Sequence, residues 1–408
     1  MRIGFVLCEH RLDVRIKKEA RSLAAAGHEV VALVQEQPTN QRLIPADAIT
    51  VQTYALPKAN TFRNALTFFK RMSFLRIPVE QLIEKFAVEN QVDVLHVHDL
   101  PNVGAGIRVG RRLGIPLVAD LHEYHPAAVR IWVRRLKPRH WITTNQTLWH
   151  SYEKRCVQRA DQVIVVIEES RERLLKYGIS PEKVHVVANY VDLDYLAEYG
   201  RGDQSLPQYA GNFVISYIGG IGPHRGVDTA IRAMAEVAKE ATDARLLIVG
   251  DPEIHEGYLR GLIDSLGVHD SVELVGWQPF EKVPAYVAAS HIGLVPHRRN
   301  PHCDHTIPNK LFDYMGFGKP VIVSDCPPLV RTVNDAQAGL VFRADYPHEL
   351  AGCILRLYRD RKLAQRLGSN GMAAVESQYN WNTASAELVK VYELLEGRAA
   401  RLSRSSVA

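Results

Sequence analysis

Two segments of the sequence carry residue types whose spacing suits an anionic, hydroxyl-bearing ligand. The first runs Thr306-Ile307-Pro308-Asn309-Lys310-Leu311-Phe312-Asp313-Tyr314-Met315-Gly316-Phe317-Gly318-Lys319-Pro320. Thr306 is placed to cap a helix that has Pro308 in its first turn. The free N–H groups of such a start favour an anion such as a diphosphate. Asp313, about two turns along, offers two acceptor oxygens to a sugar diol. Gly316 and Gly318 let the helix stop tightly before a strand. The same residues also fit a plain capped helix that feeds a buried strand. The second segment is Tyr217-Ile218-Gly219-Gly220-Ile221-Gly222-Pro223-His224-Arg225-Gly226. Its glycines allow close approach of backbone to ligand, and Arg225 supplies a fixed positive charge. A tight strand-to-helix turn is the alternative. Neither G-x-x-x-x-G-K-[ST] nor G-x-G-x-x-G is present, so an ATP-type phosphate loop and a dinucleotide fingerprint are not supported.

Other polar groups are sparser. His302-Cys303-Asp304-His305 has metal-ligand types. Four adjacent loop residues do not readily face one ion, so no metal is expected. His96 and His98 share one face of an extended segment. Both either close a strand or, in the functional reading, His98 with Asp99 lines a cleft. His10 and Glu9 leave the first strand, and Asp13 and Glu123 are candidates for binding ligand hydroxyls or for surface ion pairs. No G-x-S-x-G elbow occurs, which disfavours an α/β-hydrolase.

The elements that must hold these residues alternate. Short apolar runs at 2–7, 29–34, 92–97, 116–120, 162–166 and 184–188 are separated by helical patterns, the first over 14–26 with Asp13 as N-cap and Gly27 as stop. After the polar stretch 199–207 the pattern restarts, with strands at 213–218, 245–250, 271–275, 292–296 and 320–324. Near-continuous apolar strands between helices indicate parallel sheets covered on both faces. The expected architecture is α/β: two doubly wound Rossmann-like domains facing a central cleft, residues 1–198 and 199–379. A C-terminal helix at about 380–397 completes the first domain, and 398–408 is a disordered tail. In such folds ligands bind beyond the carboxyl ends of the strands.

The 408 residues are 46% apolar and 23% charged, which is ordinary globular composition. No apolar run reaches the roughly 20 residues of a membrane span, and the N-terminus is too brief for a secretory signal. Five scattered cysteines point to a reducing cytoplasm rather than to a disulfide framework. The net charge of +5 is uneven. Segment 126–159 has eight basic residues against Glu153 alone, interleaved with Trp132, Trp141 and Trp149. That composition suits an anionic membrane surface or a solvated helix face over a local core; segment 62–76 is similar. Nucleic acid is not expected as a partner.

In order and separation, these segments resemble retaining glycosyltransferases of the GT-B fold, family-4 type (glycosyl transferases group 1). The likeness extends over nearly the whole chain. It also rests on Asp13 to Leu23 with Ala26-Gly27-His28-Glu29-Val30, on His96-Val97-His98-Asp99, on Asp120-Leu121-His122-Glu123, and on Ala188-Asn189-Tyr190-Val191-Asp192. Leu247-Ile248-Val249-Gly250-Asp251 and Val275-Gly276-Trp277 add two further turns. The resemblance implies a sugar transferred with retention from a nucleotide-diphosphate donor, a UDP-sugar before a GDP-sugar, with no tightly bound cofactor or metal. It makes Arg225 and His122 the catalytic residues. The donor side comprises Gly219, Gly220, Arg225, Gly276, Trp277, His305, Thr306, Asn309, Lys310 and Asp313. The acceptor side comprises His10, Asp13, His98, Asp99 and Glu123. It implies a glycan, lipid-linked or small-molecule acceptor, in cell-surface polysaccharide or glycoconjugate synthesis, and a cytoplasmic protein peripheral on the membrane. Two positions depart from the family pattern. The first acid of its E-x7-E motif is His305, and its first basic residue after the C-domain glycine is Gly220. A GT-B sugar-nucleotide epimerase is the alternative enzyme, and these departures motivate a second alternative, a non-catalytic nucleotide-sugar-binding scaffold on a degenerate glycosyltransferase fold.

Overall fold

The computed structural model describes residues 1–7, 12–35, 49–54, 77–132, 144–199, 206–252 and 255–405. The chain divides into two compact units. One joins Met1–Asn189 to Ala384–Ala408, and the other is Tyr190–Thr383. The division falls ahead of the 198/199 boundary read from the sequence.

In the first unit seven strands form one parallel sheet: β1 (Arg2–Val6), β2 (Glu29–Gln35), β3 (Thr50–Tyr54), β4 (Val94–His98), β5 (Leu117–Leu121), β6 (Gln162–Val165) and β7 (Val184–Val186), in the order β3-β2-β1-β4-β5-β6-β7. The strands are apolar because both faces are covered: Val30 to Val34 are each at most 3% exposed. Helix α1 (Val14–Ala25) starts where Asp13 Oδ1 accepts the Ile16 N–H at 2.9 Å, and Gly27 follows it at a φ of 87°. The order reverses at β1, which lies between β2 and β4. That switch point is where a doubly wound sheet opens to a ligand.

The second unit repeats the plan with six parallel strands: β8 (Phe213–Ile218), β9 (Ala244–Val249), β10 (Val272–Gly276), β11 (Ile292–Val295), β12 (Val321–Ser324) and β13 (Gly339–Phe342), in the order β10-β9-β8-β11-β12-β13. Its switch point lies between β8 and β11. Gly250 takes a φ of 155°, and a Cβ there would lie 2.1 Å from the Gly219 carbonyl oxygen, so the turns after β8 and β9 touch through backbone.

The C-terminal helix packs on the first sheet. Glu387 reaches His185 at 2.9 Å, and the Tyr392 hydroxyl lies 2.6 Å from His96 Nδ1. This helix spans Trp381–Ser405, past the Gly397 where the sequence reading stops it and through most of the expected tail. One glycine costs a helix about 1 kcal/mol, too little to end one that continues into Arg398-Ala399-Ala400-Arg401-Leu402.

Candidate functional site

In the first unit the carboxyl ends of β4 and β5 meet α1. Residues two apart on a strand share a face, so His96 and His98 point the same way, and strand register sets His98 beside Asp120. Arg15 and Glu19, four apart on α1, turn the same way and are buried. Arg15 donates to the Val187 carbonyl at 2.8 Å and to Asp120 at 3.2 Å, and its Nε lies 2.8 Å from Glu19 Oε1. Asp120 Oδ2 lies 3.0 Å from His122 Nε2 and 3.4 Å from His96 Nε2. His98 Nδ1 is 3.2 Å from His122 Nε2, and Asp99 Oδ1 is 3.7 Å from His122 Nδ1. Asp99 has a φ of 64°, costly for a residue with a Cβ. Its N–H holds the Asp120 carbonyl at 2.8 Å.

Burial and these partners set the charges. Burial lowers His122, but Asp120 and Asp99 outweigh it and raise the imidazole to about 10. Burial would raise Asp120, but Arg15 and His122 hold its carboxyl well below the usual range. Glu19 is pushed up to about 8 by burial against the pull of Arg15. His98 is driven down to about 3 by burial and by His96. At neutral pH the network therefore holds Arg15 and His122 as cations and Asp120 as an anion, with Glu19, His96 and His98 neutral. His122 is a hydrogen-bond donor there, not a base. The side-chain ligand atoms of Glu19, His96, His98 and Asp120 lie within 4.8 Å of one another, a donor set with metal-binding types. Arg15 already binds Asp120 and the Glu19 carboxyl within this set.

In the second unit β8 runs into Gly219, Gly220 and a short 3-10 helix, Pro223–Arg225. Gly226 follows at a φ of 65°; a Cβ there would lie 1.8 Å from the Pro296 carbonyl oxygen. This pins Arg225 against the end of β11, where its Nη1 donates to His297 Nε2 at 3.1 Å. Lys310 Nζ is buried, 3.5 Å from the Tyr217 ring centroid and close to Gly219. Burial and Arg225 lower it well below its ordinary value, with Asp313 opposing. Asp313 lies on the same short helix, Lys310–Gly316, one turn from Lys310. Gly276 has a φ of 80° at the end of β10, and Trp277 beyond it is 69% exposed, leaving its indole face open to stacking. A cavity of about 250 Å³ opens beside the turn, lined among others by Gly222, His255 and Arg298.

The cap expected of Thr306 is not made. Thr306 is extended, with φ −147°, and follows a 3-10 turn over Cys303–His305; the helix starts at Lys310 after Asn309. Pro308 explains this, because it disfavours helical geometry at Ile307. Cation side chains rather than a helix start supply the charge. His305 bonds the Pro301 carbonyl at 2.9 Å, and Asp304 pairs with Arg299 at 2.7 Å, so 302–305 do not converge on one ion. Gly220 leaves open space above its backbone. Asp13 is exposed and spends one oxygen on the α1 cap, and Glu123 lies 3.6 Å from His125. His10 lies outside the described residues, as do 62–76 and 133–143 of the basic segments. Within 126–159, Trp149 is 2% exposed and packs in the core with Tyr152, while Lys154, Arg155 and Arg159 face solvent. No described helix is long and apolar enough to cross a membrane. The sequence reading missed Arg15, Glu19, Asp120, His224 and His297. Each looks ordinary in the chain, and only packing brings it to a site.

Comparisons with known proteins follow the same division. Residues 13–195 match the family model Glycosyltransferase Family 4, and residues 212–360 match Glycosyl transferases group 1. The chain is 26% identical over 416 residues to the MMP alpha-(1->4)-mannosyltransferase of Mycolicibacterium hassiacum, covering 95% of each chain. It is 23% identical over 302 residues to the alpha-D-kanosaminyltransferase of Streptomyces kanamyceticus, covering 70% of this chain and 72% of that one. Among solved structures, sucrose-phosphate synthase from Thermosynechococcus elongatus superposes with a TM-score of 0.77 at 20% identity, over 98% of this chain and 100% of the other. HepE of Anabaena, solved with UDP and glucose, gives 0.72 at 18% identity over 96% and 99%. With two successive glycosyltransferase domains on two successive parallel sheets, the chain is a glycosyltransferase of the GT-B type.

Proposed function

We propose that the protein transfers a hexose-type sugar, with retention, from a nucleotide-diphosphate donor to an acceptor hydroxyl. The observation that carries this reading is the pair Arg225 and Lys310 at the carboxyl end of β8, with Asp313 one turn beyond. The fixed charge of Arg225 and the buried amine of Lys310, which a bound anion would hold protonated, receive a diphosphate, and a carboxylate at that remove receives a ribose diol. Trp277 offers an exposed ring to the base. Solved neighbours with UDP bound support a UDP-sugar, with a GDP-sugar as the second choice. Two relatives are named for α-linked transfer, the outcome of retention from an α-linked donor.

In this reading the bond from the anomeric carbon to the diphosphate oxygen breaks, and the acceptor oxygen bonds the same carbon on the same face. The acceptor proton passes to the departing diphosphate. Arg225 stabilises the charge that grows there. His122, held as an imidazolium, donates a hydrogen bond to a sugar oxygen and is not a nucleophile. Asp99, Glu123 and His98, with Asp13 and His10, form the acceptor side. The acceptor is a glycan, a lipid-linked sugar or a small molecule, met by a cytoplasmic protein resting on the membrane through its basic face.

The test is a panel of UDP-, GDP-, ADP- and dTDP-sugars, read first by thermal shift and then by NMR of the product. One nucleotide should stabilise the chain, and the product should keep the donor's anomeric configuration. Inversion would sink the retaining mechanism, and binding without turnover on any acceptor would sink the catalytic reading.

A further inference from the structure

Arg225 is surrounded by imidazoles. His297 is fully buried at the end of β11, and its Nε2 accepts from Arg225. A guanidinium only donates, so this ring is neutral. His224 precedes Arg225, and both of its ring nitrogens are buried with no hydrogen-bond partner among the described residues. The His302 ring lies 5.8 Å from that of His224, at 77°. Lys310 Nζ, also buried, has no hydrogen-bond acceptor among the described residues.

The titratable groups around these rings are basic or already engaged. The Arg225 guanidinium faces them from the turn after β8, the Lys310 amine from its helix, and the His255 ring from the residue before helix Glu256–Leu266. Asp228 is held by Arg298 at 2.7 Å, Asp304 by Arg299 at 2.7 Å, and Asp313 acts on Lys310. The Cys303 and Cys326 thiols donate to the His224 and His297 carbonyls at 3.7 and 3.8 Å, and burial raises both, so neither carries charge. Buried donors without acceptors, beside a permanent cation, are arranged for a ligand with several negative charges.

We propose that binding of a nucleotide sugar's diphosphate at this cluster takes up a proton, and that His224 holds it. The proposal rests on the donor-site reading above. In the free protein, burial and then Arg225 press His224 down to about 3, and burial with the same cation lowers His297. A diphosphate brings two negative charges, which offset the repulsion from Arg225 and attract a proton to the buried ring. His224 then becomes an imidazolium that donates to a phosphate oxygen, in a turn where Gly220 offers no side chain. The ring gains the proton from solvent, and no bond to the sugar changes in this step. The sign follows from the direction of the change: a group whose value rises on binding makes affinity increase as pH falls through the bound-state value.

Calorimetry on the full chain tests this, with UDP-glucose, GDP-mannose, ADP-glucose and dTDP-glucose in paired buffers of different ionisation heat. The diphosphate diesters do not titrate near neutrality, so any proton exchanged belongs to the protein. Uptake of about one proton is expected, with Kd falling by up to about tenfold per pH unit as pH drops from about 8 to 6. His224→Asn should lose the uptake, and Lys310→Arg, which removes a second titrating group, should keep it. Binding without uptake overturns the proton linkage alone. Uptake that survives in His224→Asn overturns the assignment to His224, and its loss in Lys310→Arg would move it to Lys310. Binding of none of the four overturns the donor site itself, and the linkage with it.

Discussion

Arg225 carries a charge that does not titrate and a planar fork of donors, one of which is committed to His297. A lysine ammonium lacks the planar fork that spans His297 and a phosphate oxygen in one fixed geometry. Arg225→Ala should lower kcat by about 10²- to 10³-fold, and Arg225→Lys should restore only part of it, in steady-state assays with the donor the panel selects. A change within threefold for the alanine variant would remove Arg225 from the site. Asp313→Ala should cost about 1.5–3 kcal/mol of donor binding, or about 10- to 100-fold in kcat/KM, mostly through KM. Glu19 gives a prediction about stability. Its folded value of about 8 lies above the unfolded carboxyl value, so its contribution is full below the unfolded value and declines until pH passes about 8. Glu19→Gln does not titrate. Its stability relative to the parent should therefore rise between about pH 5 and pH 8 in denaturant titrations. A difference that stays flat over that range would mean Glu19 is ionised throughout.

At the scale of elements, α1 joins the cap to the buried network. Asp13→Ala should cost about 1 kcal/mol of stability, and Asp13→Asn should restore it, because either side chain caps. If Asp13 also binds acceptor, Asn restores stability without restoring the acceptor KM; if the cap is its whole role, Asn restores both. The start of α1 was legible because capping is local: Asp13, a 3.6-residue apolar period and Gly27 declare themselves within one stretch of chain. The short helix at Lys310 was less so. Thr306 and Pro308 fit a cap-and-first-turn pattern, but the prolyl ring acts on Ile307 and delays the helix to Lys310. Cap rules describe favourable starts and do not say which of two neighbouring starts a proline will permit.

For the whole molecule, the basic face of helix Gln146–Arg159 is the described part of the surface proposed to meet membrane. Reversing Lys154, Arg155 and Arg159 to glutamate should abolish sedimentation with anionic liposomes at low salt, each charge near the surface counting for about 1 kcal/mol. Trp149 should not be part of that contact, since it is core; binding unchanged by the reversal would leave the helix as a solvated face. By itself the sequence determined the two parallel sheets, because buried strands must be apolar throughout and their crossovers need helices of a set length. It also determined the diphosphate and ribose candidates, whose residues sit in contiguous turns next to strands. Only the tertiary structure decided the charge states. Whether His122 is a cation, Glu19 is neutral or the His224 ring has no hydrogen-bond partner among the described residues depends on which groups from distant strands and helices are buried together. Coulomb energy and desolvation act through space, and separation along the chain does not encode them.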